Sequence, residues 1–152
     1  MEIFLEFISY NGELLGANWF PANITQEELT ELYPNAACFN IIDWHGFGPI
    51  NANCFTIEEI NKIYEIVDRH GLAPLVYMDL FGCDLDLIED WEDQFVGVYP
   101  SSDFFIDDYL DVHFPEVPDM ILSNINYTSL WEDIRHDYMT DYCEEDFYVF
   151  YA

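Results

Sequence analysis

Of the side chains that could do chemistry, carboxylates are the most numerous in this sequence. The sequence has 31 Asp and Glu against three Lys and Arg, which gives a formal net charge of -28 on 152 residues. In proteins, carboxylates bind calcium, act in pairs as catalytic acids and bases, or stand in for the phosphates of a nucleic acid. Each of these three uses requires a different spacing of the carboxylates along the sequence.

The acidic segment after residue 83 has only part of a calcium-binding pattern. Asp84 and Asp86 alternate as the first ligands of an EF-hand do, but the fifth place holds no ligand, the sixth no glycine, and the twelfth is Phe95 instead of Glu. Paired carboxylates for glycoside hydrolysis occur by chance in so acidic a chain, and no further motif supports them. We therefore predict no metal, no cofactor and no catalytic residue, and a protein that is not an enzyme.

Cysteine and histidine also lack a catalytic or zinc-binding pattern. Cys38, Cys54, Cys83 and Cys143 are scattered without a Cys-x-x-Cys pair, so we interpret them as buried free thiols in a reducing compartment. His45 lies near two of these cysteines in the sequence, but without a family signature this is weak evidence for a catalytic nucleophile. No glycine-rich phosphate loop is present. The charge disfavours nucleic acids, anionic substrates and membrane surfaces as partners, and without a leader-like start we expect the cytoplasm.

The elements that would position the carboxylates follow from hydrophobic spacing. The chain is 51% hydrophobic and 18% aromatic, which is enough apolar surface for a folded core despite the charge. Residues 1–55 predict an antiparallel sheet with a helix, residues 56–97 a helical middle, and residues 98–152 a C-terminal α+β part. The predicted fold class is therefore α+β, with these three subdomains in an elongated row.

Three of the predicted helices present acids on the face opposite their apolar residues. They cover residues 84–95, 101–111 and 127–138, and they follow two helices that begin at Thr-x-x-Glu capping boxes, Thr25 with Glu28 and Thr56 with Glu59. A loop is predicted at 113–119, and a terminal strand at 147–151 requires a second small sheet. The acids that we expect to form one functional surface are Asp84, Asp86, Glu89, Asp90, Asp93, Asp103, Asp107, Asp108, Asp111, Glu132, Asp133 and Asp137.

The amount of charge exceeds what solubility requires. A net charge of about 2 to 8 keeps a small domain soluble, whereas 28 charges correspond to about 48 Å of duplex DNA, or about 14 base pairs. Tandem acidic helices could imitate a phosphate track, and duplex-like density would need an elongated molecule or a dimer. Halophilic adaptation produces a similar composition and stays open as an alternative.

Four segments of the sequence form a recognisable set. They are residues 10–20 (YNGELLGANWF), 43–48 (DWHGFG), 95–104 (FVGVYPSSDF) and 125–134 (INYTSLWEDI). These segments resemble the ArdA antirestriction family of DNA mimics. They follow one another in the family's order and together span nearly the whole chain.

The resemblance implies both a fold and a function. It implies three small subdomains in a row, with two chains forming a homodimer through residues 98–152. Within that region we select Tyr127 and Trp131 as candidate interface residues. It implies a protein of a mobile genetic element that blocks the DNA-binding groove of type I restriction-modification enzymes in the cytoplasm of the host bacterium. The alternatives are a mimic directed at another DNA-binding protein, such as a CRISPR effector, and a small acidic enzyme of a halophile.

Overall fold

The predicted α+β class is confirmed by the computed structural model, which describes residues 1–82 and 84–152. Two three-stranded antiparallel sheets, one from each end of the chain, are separated in sequence by helices. Each sheet has its own aromatic core, and one helix between them contributes side chains to both.

The N-terminal sheet has the strand order β2-β1-β3. Strand β1 (Glu2–Ser9) lies in the middle, between β2 (Leu14–Pro21) and β3 (Ala36–His45). Its alternate side chains Ile3, Leu5 and Phe7 are buried, as expected for a strand with one face on a core.

Helix α1 (Gln26–Leu32) connects the two outer strands of this sheet. Its predicted capping box is confirmed. The Glu28 backbone N–H donates to Thr25 Oγ1 at 3.2 Å, and the Thr25 N–H donates to Glu28 Oε2 at 2.8 Å.

Two helices pack between the sheets. Helix α2 (Ile57–His70) begins at the second capping box, Thr56 with Glu59, and ends at Gly71, whose φ of 69° suits glycine. Helix α3 (Ala73–Phe81) is buried from its first residue through Met78. Its Leu75 packs in the N-terminal core and its Val76 in the core beside the second sheet, so α3 joins the two.

The C-terminal sheet has the order β4-β6-β5, with the predicted terminal strand in the middle. This strand, β6 (Asp146–Tyr151), is buried at four consecutive residues because both neighbouring strands and the flanking helices cover it. Its neighbours are β4 (Phe95–Tyr99) and β5 (Tyr138–Cys143), which we did not predict; β4 crosses the boundary that we placed between residues 97 and 98. The remaining helices are α5 (Ser102–His113), α6 (Asp119–Leu122) and α7 (Tyr127–Ile134).

The predicted helix over residues 84–95 is confirmed in position, but its first half is a 3₁₀ helix instead of an α-helix. Leu85–Asp90 is a 3₁₀ turn, α4 (Trp91–Gln94) is four residues long, and Phe95 already belongs to β4. Six carboxylates fall between residues 84 and 93, and like charges at helical spacing destabilise an α-helix. A 3₁₀ turn rises about 2.0 Å per residue instead of about 1.5 Å, which spreads these charges.

Three smaller predictions are confirmed at least in part. Helix α7 ends at Ile134, and a 3₁₀ turn over Arg135–Asp137 completes the helical segment that we predicted to end near 138, where Tyr138 begins β5. The predicted loop over 113–119 is largely right, although α6 begins at its last residue. Cys143 is buried as expected, but Cys38 and Cys54 are exposed, and Cys83 lies outside the described residues.

The accessible surface is larger than that of a compact globule. It measures 9410 Å², compared with about 8,000 Å² for a compact monomer of this mass. Such an excess is in the direction expected of an elongated chain with three small hydrophobic clusters. Among the described residues, no helix is long and apolar enough to cross a bilayer.

Candidate functional site

Every carboxylate that we predicted for the functional surface is exposed. No charged residue in the described part of the chain is buried, so the acids of this chain lie at or near solvent. The distribution is uneven, because residues 79–152 contain 20 of the 31 carboxylates and only Arg135 among the three Lys and Arg. The exposed set is Asp84, Asp86, Glu89, Asp90, Asp93, Asp103, Asp107, Asp108, Asp111, Glu132, Asp133 and Asp137.

Helix α5 has the most regular arrangement of acids. Phe105, Ile106 and Leu110 are buried, and this orients the helix with Asp103, Asp107, Asp108 and Asp111 toward solvent. These four residues fall within about 140° of the helix circumference and along about 12 Å of its axis. Their mean axial spacing of about 4 Å is close to the phosphate repeat of about 3.4 Å on one DNA strand.

The acids of residues 84–93 form a second group on a different support. Within the 3₁₀ turn, Asp86 and Glu89 are three residues apart and therefore lie on the same face. Buried Ile88 anchors the turn in the N-terminal core. On the following helix, Glu92 Oε1 lies 3.8 Å from His70 Nδ1 of α2, and the Trp91 ring packs edge-on against that imidazole at 5.5 Å.

Helix α7 packs beside α5, whereas residues 84–93 pack on α3. The Phe105 ring of α5 contacts the Trp131 ring of α7 edge-on at 5.9 Å. On α7 and the turn after it, Glu132, Asp133 and Asp137 are exposed, and Glu132 Oε1 lies 3.5 Å from the Arg135 guanidinium. The predicted residues thus form two groups, one on α5 and α7 and the other on residues 84–93.

Two tyrosines donate hydrogen bonds to neighbouring carboxylates of α5. Tyr99 Oη, at the end of β4, donates to Asp108 Oδ2 at 2.9 Å, and Tyr127 Oη, at the start of α7, donates to Asp107 Oδ1. Burial raises the pKa of Tyr99, and the bond to Asp108 raises it further. The bond to Asp107 is the main cause of the raised pKa of Tyr127.

We did not predict this role for the two tyrosines. Tyr99 lies in the third family-like segment, and Tyr127 lies in the fourth. No spacing rule indicates hydrogen bonds across nine and 20 positions of the chain.

The two residues that we guessed for a dimer interface make contacts within the chain. Tyr127 bonds to Asp107, and the Trp131 ring packs against Phe105 and, at 6.0 Å, against the Phe147 ring. Part of each side chain is therefore occupied in the single chain. Their role in a dimer stays a prediction.

The clefts of the molecule do not gather the carboxylates into a metal site. A cleft of about 520 Å³ contains Glu59, Asp79, Asp84 and Asp86, but Glu59 is already occupied by its capping box with Thr56. Among the described residues, no three His, Cys, Asp or Glu side chains converge as metal ligands would. Comparison with protein-family models and with curated protein sequences gives no match.

Proposed function

We propose that this chain is an antirestriction protein that imitates duplex DNA and blocks the DNA-binding groove of type I restriction-modification enzymes. The observation that carries the proposal is the exposed acidic face of α5, on which four carboxylates share about 12 Å of the helix axis, a mean spacing close to that of phosphates on one DNA strand. The four segments that resemble the ArdA family support the choice of target. We place its action in the cytoplasm of the host bacterium, where such enzymes meet incoming DNA.

The mechanism is competition by charge, and it makes or breaks no bond. A groove that holds DNA presents Lys and Arg side chains to phosphates, and carboxylates on rigid helices can occupy the same cations. The long-range field of 28 net negative charges steers the encounter within a Debye length of about 10 Å at 0.1 M salt. Because phosphate contacts carry no base sequence, the protein would act on enzymes of different sequence specificity.

A homodimer would double the length of duplex whose charge the protein imitates. One chain carries the charge of about 14 base pairs, so two chains joined through residues 98–152 would carry that of about 28. We retain the division into subdomains 1–55, 56–97 and 98–152 as part of this proposal. In this arrangement the acids of α5 and α7 would lie nearest the centre of the dimer.

A restriction assay tests the proposal directly. Purified protein is added to a type I enzyme with unmodified DNA, and we expect cleavage to stop and to recover when excess duplex DNA is supplied. Displacement of a labelled duplex from the enzyme should weaken steadily as salt is raised, because the contacts are ionic. Cleavage that continues at a large molar excess of protein would refute the choice of target.

The alternatives give different results with the same reagents. A mimic directed at another DNA-binding protein, such as a CRISPR effector, would leave the type I enzyme active but displace DNA from its own target. An acidic enzyme of a halophile would displace DNA from neither. It would also lose activity through one or two substitutions, whereas a mimic loses inhibition in small steps as single acids are neutralised.

A further inference from the structure

The carboxylates of Asp107 and Asp108 are held by donors from two other elements. Tyr99 comes from β4 and Tyr127 from α7, and their hydroxyls reach adjacent residues of α5. Both Asp residues are nevertheless exposed. The two bonds therefore restrain these side chains while leaving them accessible to a partner.

The Tyr99 ring occupies a place that the backbone keeps open for it. A Cβ atom at Gly97 would lie 2.9 Å from Tyr99 Oη, which is closer than real Cβ contacts come, and 3.0 Å from Tyr99 Cε2, so the ring would have to shift. The φ of Gly97 is not in the left-handed region, so the close approach of the ring is what requires a glycine here. The Phe105 ring supports Tyr99 from the other side at 5.3 Å, edge-on.

A phenol differs from a lysine or arginine in the way it holds a carboxylate. Its hydroxyl is neutral, so it orients the carboxylate without cancelling the negative charge, whereas Arg135 partly neutralises Glu132. The terminal torsion of a free Asp side chain is broad, and ordering it on binding lowers affinity. A hydrogen bond already present in the unbound protein removes part of that loss.

We propose that Tyr99 and Tyr127 are positioning residues that fix Asp108 and Asp107 for contact with the Lys and Arg side chains of a DNA-binding groove. The inference rests on the proposed function and adds which carboxylates are pre-oriented and by which residues. It also gives Gly97 a role, which is to leave room for the Tyr99 ring.

The test compares Tyr99→Phe, Tyr127→Phe and the double variant with the control Tyr10→Phe. Tyr10 lies at the tip of the first hairpin with 84% of its surface exposed. Each protein is used to displace a short fluorescein-labelled duplex from a type I restriction enzyme over a range of salt, at a temperature well below its melting point. Titration of tyrosine absorbance against pH checks that Tyr99→Phe and Tyr127→Phe each remove a hydroxyl that loses its proton at a higher pH than an ordinary tyrosine.

We expect each single variant to compete about three- to tenfold less well than the wild type, because one side chain must now be ordered on binding. The salt dependence should stay unchanged, since no charge is removed. Gly97→Ala should weaken competition at least as much as Tyr99→Phe, because it displaces the ring. A merely structural role would lower the melting temperature but would not change affinity where every variant is folded.

Two results would overturn the inference, and they are distinguishable. If the wild type displaces DNA and the three variants match Tyr10→Phe, then the tyrosines do not position the carboxylates, and the proposed function stands. If the wild type itself fails to displace DNA, both the proposed function and this inference are wrong for that enzyme.

Discussion

Neutralising the acidic face of α5 should weaken competition with DNA far more than removing the same charge elsewhere. The variant replaces Asp103, Asp107, Asp108 and Asp111 by Asn. Asn keeps the side-chain shape and an oxygen that can still accept from the two tyrosines. The change therefore removes charge and little else.

The expected magnitude follows from exposed ion pairs. One exposed pair changes a binding constant by about 1.4- to 5-fold, so four independent pairs predict a loss of about 4- to 700-fold. Displacement of a labelled duplex from a type I enzyme at 0.1 M salt measures this loss. The salt dependence of displacement should also become shallower, because fewer ionic contacts form.

The matched control removes four exposed acids from the part of the chain with fewer charges. Glu13, Glu27, Glu31 and Glu65 are replaced by Gln, which gives the same change in net charge. If only the total charge matters, the two variants lose the same affinity. An equal loss would refute the reasoning that the arrangement on α5 is what the partner binds.

Four further predictions concern stability. Thr56→Ala should lower the free energy of unfolding by about 1 kcal/mol, because it breaks the capping box of α2. Calorimetry should show a melting point about 2–4 °C lower. The control Thr128→Ala, at an exposed threonine, should show little change. Phe105→Ala should lower the free energy of unfolding, measured in urea, by about 3–5 kcal/mol. A loss below about 1 kcal/mol would contradict the placement of Phe105 in the C-terminal core. Folding raises the pKa of Tyr99, so the hydroxyl's contribution to the free energy of unfolding is fully present below pH 10 and is lost as the pH rises through the folded-state pKa. Urea titrations above pH 10 should therefore show that the free energy of unfolding declines less steeply with pH for Tyr99→Phe than for the wild type. About 0.5 M NaCl should raise the melting temperature by screening self-repulsion, and an unchanged value would indicate that the repulsion is negligible.

The predictions that rest on local chemistry agree with the structure. Thr25 with Glu28 and Thr56 with Glu59 begin helices, as their capping boxes predict. Each of these signals depends on residues within a few positions of one another. The exposure of the twelve predicted acids follows in the same way, because an unpaired charge is rarely buried.

The sequence did not predict the features that depend on distant residues. Leu85, Ile88 and Phe95 have helical spacing, yet Phe95 pairs with Phe150 in a sheet whose other members lie more than 40 positions away. The six carboxylates between residues 84 and 93 repel one another at helical spacing, and hydrophobic spacing alone does not include this repulsion. The bond from Tyr127 to Asp107 likewise exists only because α7 packs beside α5.

The uneven distribution of charge favours the proposed mimic over a hydration coat. A coat that protects against salt has no reason to favour one part of the molecule, whereas residues 79–152 carry nearly two thirds of the acids and one cation, Arg135. Self-repulsion opposes folding most strongly in that part. That part also contains its own aromatic core, in which Phe105 contacts four aromatic rings, and this core supports the very helices that carry the acids. A rigid support beneath concentrated charge favours recognition by a cationic groove over simple hydration.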